Sequence, residues 1–209
     1  MPSYISPHFP QDKFNNPSLE DLIDVLEDRI SYWVLEPTKL LLDDPIHQVP
    51  GFSLLLTYFE GIWIYVQGVD SSGWSKKFFQ EAFLDVFKHA KMSKGLLTRI
   101  AHVLYEDARC GFFHDGMFRH RIFFKKLEKG ELLVTLPRRN AQIDEMGEIQ
   151  SILVDTYRFS SAVERHFTNY LTRLRNTNQI ELRTKFETIC RDKWKWDEEI
   201  IIGLPNPNN

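Results

Sequence analysis

The stretch "GFSLLLTYFEGIWIYVQ", residues 51–67, is the most apolar part of the chain. Pro50 precedes it and Gly68 follows it, and these residue types commonly mark the two ends of a helix. Its apolar residues are spread around the whole helical circumference, which predicts a central helix covered by other elements. Glu60 interrupts a run of about fifteen apolar residues, too short and too acidic for a membrane span, so we expect no membrane association.

An amphipathic helix is predicted on the N-terminal side of the central helix, at about 19–35. Its apolar residues recur at helical spacing with acids on the opposite face. Ser18, with Asp21 three residues later, resembles a capping box at its start. Pro37 is expected to end or kink the helix.

Two further helices are predicted after the central one, at about 74–90 and 94–111. The first carries a stripe of phenylalanines, and the second places its aliphatic residues on one face. Helical spacing returns at 148–176 and again at 180–194. The sequence therefore predicts a mainly α fold, a helical bundle with C-terminal helices.

The periodicity changes at Met117 from helical spacing to alternation. Apolar residues then occupy every second position on either side of Lys129-Gly130, which is typical of two strands joined by a turn. This pattern predicts an inserted β-hairpin at about 118–136. The alternating positions are Phe118, His120, Ile122, Phe124, Leu132, Val134 and Leu136.

Composition indicates one globular domain. Of the 209 residues, 43% are hydrophobic and 26% charged, which is unlike a disordered chain. We expect an irregular N-terminal arm at 1–18, a single domain at 19–200 and a tail at 201–209. The first residues lack the basic and apolar regions of a signal peptide, so a cytoplasmic location is expected.

Charge and cysteine content narrow the classes of function. Residues 1–90 carry 6 Lys and Arg against 13 Asp and Glu, whereas residues 91–209 carry 20 against 16. The basic second part permits a polyanionic partner. The two cysteines, Cys110 and Cys190, fit neither a disulfide framework nor the spacing of a zinc site.

The segment "YEDARCGFFHDGM", residues 105–117, places Arg109 and His114 where a helix is ending. One interpretation is structural, with the arginine paired to an acid such as Glu106 and the histidine capping the helix. The other is a phosphate site with a base beside it. On an ideal helix an offset of five subtends about 140°, so the two side chains would converge only if the helix loosens at Gly111 or two copies meet.

The order of these elements resembles the HEPN superfamily (higher eukaryotes and prokaryotes nucleotide-binding). Its hallmark is an arginine followed four to six residues later by a histidine, late in a helical bundle, and the "RCG-x-x-H" form is similar to that of a bacterial branch. The resemblance covers about residues 19–117 and implies a HEPN-like bundle. Many members are metal-independent ribonucleases that act as homodimers, often as toxins or defence effectors.

The resemblance implies that Arg109 and His114 are the catalytic pair, with RNA as substrate and no cofactor. Cys110 stands where catalytic members usually have a polar residue. Some members are inhibited by an antitoxin protein, and one type of antitoxin modifies a tyrosine two residues after the histidine. Gly116 occupies that place, which disfavours that type. The alternative is a non-catalytic HEPN scaffold or interaction module.

The residue types suit RNA cleavage through the 2′-hydroxyl. A histidine, with a reference pKa of about 6.5, can remove the proton from that oxygen near neutral pH. An arginine can stabilise charge on the phosphoryl group. The sequence contains no cluster of carboxylates or histidines that suggests a metal site.

Supporting roles are predicted for one acid and for a group of basic residues. Glu60 lies on an otherwise apolar helix and should be costly unless paired, either in a buried salt bridge or as the residue that orients Arg109. The basic group follows the motif and forms either a solvated face or an RNA-binding surface. Its members are Arg119, Arg121, Lys125, Lys126, Arg138 and Arg139.

Overall fold

The computed structural model describes residues 4–119 and 121–194. His120, one of the positions in the predicted alternation, lies outside the described residues. The predicted tail at 201–209 and the last residues of the predicted domain, 195–200, also lie outside them.

Helices form most of the described chain, which confirms the predicted mainly α class and the presence of at least five helices. Each predicted helical segment contains a helix, although 148–176 also contains a strand. In chain order the helices are α1 Leu19–Ile30, α2 Glu36–Leu42, α3 Gln48–Gln67, α4 Ser75–Val86, α5 Lys94–Val103, α6 Gly111–Asp115, α7 Thr156–Arg175 and α8 Ile180–Trp194.

Helix α3 is the centre of the molecule, as its apolar sequence predicts. Phe52, Leu55 and Phe59 on this helix are fully buried. The Phe52 and Phe59 rings lie 5.0 and 5.9 Å from the ring of Phe159 on α7, both edge to face. Helices α2, α4, α7 and α8 pack around α3, so none of its faces needs a full set of polar residues for contact with water.

A single stretch of the described chain, Pro45–Gln67, is long and apolar enough to cross a membrane by length and composition. It coincides with α3, the buried core helix of the bundle, and Ile62 near its C-terminal end is also fully buried. The core helix of a soluble protein passes the same test of length and composition.

Pro37 does not end the first helix. The chain passes through a π-helical segment, Ser31–Leu35, directly into α2. The Glu36 N–H bonds to the Ser31 carbonyl, five residues back. A proline lacks an N–H and clashes with the carbonyl four residues before it, and the wider π turn moves the neighbouring carbonyls out of α-helical register.

The strands differ from the predicted hairpin. They are β1 Tyr4–Ser6, β2 Phe9–Pro10, β3 Ile122–Phe124, β4 Leu132–Thr135, β5 Arg138–Arg139, β6 Gln142–Ile143 and β7 Ser151–Val154. Strands β3 and β4 fall inside 118–136, as predicted, but they do not pair with each other. Strand β7 lies between them, parallel to β3 and antiparallel to β4. The predicted hairpin is therefore wrong.

The sheet has an inner and an outer face. Ile152 and Val154 of β7 are fully buried and face the core with the alternating residues of β3 and β4. The ring of Phe124 on β3 lies 5.3 Å from that of Phe52. The sheet thus closes the end of the bundle beside the N-terminal half of α3.

The N-terminal segment is more ordered than the predicted irregular arm. Strands β1 and β2 pair, and a short 3₁₀ helix, Gln11–Phe14, follows them. Phe14 is buried and stacks on Trp194 at 5.6 Å. One aromatic anchor therefore holds the arm against α8.

Candidate functional site

A second π-helical segment, Leu104–Cys110, carries Arg109 and connects α5 to α6. The N–H of Gly111 bonds to the Glu106 carbonyl, five residues back, and also to that of Ala108. The helix is therefore widened at Leu104–Cys110, and α-helical geometry resumes at Gly111, before His114.

Arg109 pairs with Glu60 of α3. Arg109 Nη2 donates to Glu60 Oε2 at 2.9 Å, and Ser71 Oγ donates to Glu60 Oε1, also at 2.9 Å. The arginine side chain is 28% exposed and the glutamate side chain 16% exposed. Arg109 is therefore the partner that Glu60, the one charge on α3, requires, and Glu60 in turn fixes the direction of the guanidinium. Other guanidinium N–H donors remain for a second anion.

Two aromatic rings flank this guanidinium. Its central carbon lies 5.5 Å from the ring centre of Tyr105 and 5.5 Å from that of Phe113. Both distances are within the range of cation–π attraction. Tyr105 is held edge-on by Phe79, and burial together with the neighbouring Cys110 raises the pKa of its hydroxyl. Phe113 is 57% exposed, so it forms the solvent side of the site.

His114 lies on α6, next to Phe113, with its side chain exposed. Within the part of the chain that the structure describes, no hydrogen bond or ion pair joins it to Arg109 or Glu60. The structure thus brings Arg109 and Glu60 together and leaves His114 as a free imidazole one turn further along the helix. Gly116, with φ +73°, ends the helix directly after it.

Asp107 anchors the chain that returns after α6. This carboxylate is almost fully buried and accepts from Arg121 Nε at 2.6 Å. The Arg119 N–H donates to the Asp107 carbonyl at 3.0 Å. The hydrogen bond to Asp107 raises the pKa of Arg121. Arg119 and Arg121 are therefore both fastened to the π-helical segment that carries Arg109.

The returning chain also explains Gly111. A Cβ at this position would lie 2.9 Å from the Met117 carbonyl oxygen, closer than a real Cβ contact allows. Glycine is therefore required where the helix and the returning chain touch. The "RCG" in the motif has a packing reason that is independent of any chemistry.

The six predicted RNA-binding residues do not form one group. Arg121 and Arg119 are engaged by acids, the first by Asp107 and Glu148 and the second more loosely by Asp107 and Asp115. The other four are exposed, and among them only Arg139 lies near an acid within the described chain, at 4.0 Å. Those four are Lys125, Lys126, Arg138 and Arg139.

Cysteines and potential metal ligands form no further centre. Cys190 is buried, which raises its pKa above the ordinary range, and Cys110 is half-buried beside Tyr105. Over residues 4–119 and 121–194, no three His, Cys, Asp or Glu side chains are grouped so that they could hold a metal ion.

Comparisons of the chain with protein-family models, with characterised proteins and with solved structures find no significant match.

Sequence reasoning found Glu60 and its link to Arg109 but missed several contributors to the site. Ser71 lies in the loop after α3, and nothing in a serine-rich turn indicates that one hydroxyl reaches back to Glu60. Phe113 and Asp107 could have been identified from the sequence, since both lie inside the segment 105–117 that contains Arg109 and His114. The partner of Asp107, Arg121, could not, because it depends on the path of the chain that returns after α6.

Proposed function

We propose that this chain is a metal-independent endoribonuclease of HEPN type, which cleaves RNA through the 2′-hydroxyl. The observation that carries the proposal is the Glu60–Arg109 pair, which holds a partly exposed guanidinium on a widened helix, about one turn before the exposed imidazole of His114. An always-charged group that binds the phosphate and a general base are the two components that this reaction needs.

In the proposed reaction His114 takes the proton of the 2′-hydroxyl. The 2′-oxygen forms a bond to the adjacent phosphorus, and the bond from that phosphorus to the 5′-oxygen of the next nucleotide breaks. A proton, from the histidinium or from water, goes to the leaving 5′-oxygen. The products are a 2′,3′-cyclic phosphate and a free 5′-hydroxyl, with no change in oxidation state.

Arg109 stabilises the charge that develops on the phosphoryl oxygens. Glu60 acts as a positioning residue, since it contacts the arginine and not the substrate. The exposed ring of Phe113 lies beside both groups, where a base of single-stranded RNA can stack. Lys125, Lys126, Arg138 and Arg139 supply exposed positive charge for the RNA backbone, which makes binding weaken as salt rises.

We further propose that the protein is cytoplasmic and acts as a homodimer. A two-fold interface would place two Arg109/His114 pairs in one cleft, because an isologous contact brings the same surface of each copy together. A toxin or defence effector of this kind requires control, so an antitoxin protein is proposed as its partner. Gly116 follows His114 where a modifiable tyrosine would be needed, so control by tyrosine modification is not proposed.

The chemistry is tested with a matched pair of substrates in EDTA. One is a single-stranded RNA oligonucleotide, and the other has the same sequence as DNA. We expect the RNA alone to be cleaved, with a 2′,3′-cyclic phosphate on the product. Cleavage of the DNA, or a product with a 5′-phosphate, contradicts the proposed role of the 2′-hydroxyl.

The role of the arginine is tested by Arg109→Lys. An ammonium cannot reproduce the two-pronged contact of a guanidinium with phosphate, so we expect cleavage to fall by about 10²-fold or more. Arg175→Lys is the control, since Arg175 pairs with Glu27 and Asp24 of α1 and lies outside the site. Equal activity in the two variants would exclude Arg109 from the reaction.

A second candidate function, a non-catalytic HEPN scaffold or interaction module, is favoured by the outer face of the sheet. Phe123 and Leu133 are each about half-exposed, and both are in register with Leu153 on the strand between them. An apolar row on a solvent-facing sheet is typical of a contact surface. If the wild-type protein cleaves no RNA, this candidate takes the place of the first.

A further inference from the structure

A cavity of about 470 Å³ lies between the C-terminal ends of α3 and α4 and the face of α7. Sites for small ligands commonly have volumes of about 300–1,000 Å³. Neither Arg109 nor His114 lines this cavity, so it is separate from the site described above.

Helix α7 presents two arginines to the cavity. Arg165 and Arg173 are eight residues apart, with Asn169 midway between them, so the three side chains share one face of the helix over about 12 Å. Neither arginine makes an ion pair with any residue in the described part of the chain. Two guanidinium groups therefore border one concave space, and two acids, Glu131 and Asp85, also line it.

The other acid of the wall, Asp85, is already engaged. Its carboxylate bonds to His166 Nε2 at 2.9 Å and lies 3.1 Å from Lys88 Nζ. The other ring nitrogen of His166, Nδ1, is 2.7 Å from the hydroxyl of the buried Tyr58. With both nitrogens engaged, His166 holds Asp85 in place, so this carboxylate is not available to the arginines.

Part of the remaining wall is apolar. Val66, Val86, Phe87 and Ala162, from α3, the end of α4 and α7, line this part, next to polar residues that include Lys88, His89 and Thr172. A bare phosphate ion would contact little of this surface. A ligand that fills the cavity needs an apolar body as well as negative charge.

We infer that this cavity binds a small phosphomonoester whose phosphate lies between Arg165 and Arg173 and whose ring or other apolar body packs against Phe87 and Val86. The two guanidinium groups match the charge of about −1.5 to −2 that a phosphomonoester carries near pH 7. The cavity is bordered by α3, α4 and α7 and has the volume of a small-ligand site, so a small molecule fits it better than the backbone of a nucleic acid, which needs an open track. The inference is independent of the proposed ribonuclease activity.

The test uses four probes of related shape, each titrated against the full chain by calorimetry. Phenyl phosphate has the ring and the dianion, phenol has the ring alone, inorganic phosphate has the charge alone, and benzoate has the ring with a carboxylate. For so small a ligand we expect phenyl phosphate to bind with a Kd of about 1 mM. Phenol, phosphate and benzoate are expected to bind at least about tenfold more weakly.

Two variants and a control locate the site. Arg165→Gln and Arg173→Gln should each weaken phenyl phosphate binding by about tenfold or more, because each removes a charged hydrogen-bond donor. Lys129→Gln removes an exposed charge outside the cavity and should leave the Kd unchanged. Circular dichroism of the three variants verifies that each is folded.

Four results would overturn the inference, and the first three concern the small probes. The first is that phenyl phosphate shows no saturable binding up to about 10 mM, roughly ten times the expected Kd. The second is that the arginine variants bind phenyl phosphate as tightly as the wild type does. The third is that benzoate binds more tightly than phenyl phosphate. Displacement of phenyl phosphate by a single-stranded RNA oligonucleotide at stoichiometric concentration would assign the two arginines to nucleic acid instead, and would also overturn it.

Discussion

Removing the Glu60–Arg109 pair should reveal a measurable coupling between the two side chains. Exposed ion pairs contribute about 0.2–1 kcal/mol, whereas removing one member of a fully buried pair costs about 3–5 kcal/mol. At 16% and 28% exposure, this pair lies between those limits. We therefore expect a coupling free energy of about 1–2 kcal/mol between the two residues.

The coupling is obtained from a double-mutant cycle of Glu60→Gln, Arg109→Met and the doubly substituted protein. Glutamine keeps the shape of Glu60 and its contact with Ser71, and methionine keeps the apolar stem of Arg109. The free energy of unfolding is measured by urea denaturation for all four proteins. The double substitution should destabilise the protein by less than the sum of the single substitutions, and the difference is the coupling.

A control cycle on Glu181 and Lys185, an exposed pair one turn apart on α8, should give a clearly smaller coupling than the Glu60–Arg109 pair. Raising the salt concentration should reduce this control coupling more than that of Glu60–Arg109, because buried charges are screened less. A Glu60–Arg109 coupling below about 0.3 kcal/mol would refute the reasoning, since the two residues would then act independently.

Three further predictions concern stability. The hydrogen bond from His166 lowers the pKa of Asp85 from 3.8 to about 2, so the carboxylate stabilises the fold above about pH 4 and this contribution is lost as the pH falls towards 2. Asp85→Asn should therefore lower the free energy of unfolding by about 1–2 kcal/mol at pH 7 and flatten its pH dependence between about pH 4 and 2. Equal pH profiles of stability for the variant and the wild type would contradict this. Gly68→Ala should cost more than about 1 kcal/mol in urea denaturation, because φ is +73° and the new Cβ would lie 2.7 Å from that of Lys185; an unchanged midpoint would contradict it. Asp155→Ala removes the cap of α7 and the acceptor for the Leu127 N–H, so thermal unfolding should show a loss of about 2 kcal/mol, whereas a loss within error would mean that water replaces both bonds.

The longer helices were predictable because each has a local signal, whereas the short helices α2 and α6 were not predicted. Helix α3 begins at Gln48, two residues before the predicted start at Pro50, and ends at Gln67 as predicted. The predicted Ser18–Asp21 capping box is present at the start of α1. The strands show the limit of local signals. Alternation identifies which residues of β3 and β4 face the core, but it does not identify the strand with which each one pairs.

The missed strand β7 has a specific cause. Its apolar sequence, Ser151–Val154, joins directly to the helical spacing of α7, so the two were predicted as one helix. Asp155 separates them, since its side chain accepts from the Arg158 N–H and caps α7. An aspartate before a helical run is a start signal that was available in the sequence.

The candidate site also combines features that have a local sequence signal with features that depend on contacts between distant segments. Glu60 was identifiable as a lone charge on an apolar helix, and a charge in that position needs a partner. The π-helical widening that carries Arg109, and the Asp107–Arg121 bond that fixes the returning chain, depend on contacts between segments and have no signature in local sequence. The π-helical widening at Ser31–Leu35 was not foreseen for the same reason, since Pro37 predicted only an end or a kink of the first helix.

The central claim is most directly tested by the rate of RNA cleavage in EDTA by three proteins: the wild type, His114→Ala and His102→Ala. His102 is an exposed histidine on α5 outside the site, so its substitution controls for the loss of an imidazole. Loss of a positioned acid or base typically lowers a rate by about 10²–10⁴-fold. The account predicts that His114→Ala falls by that factor while His102→Ala cleaves like the wild type; equal cleavage by all three proteins would contradict it.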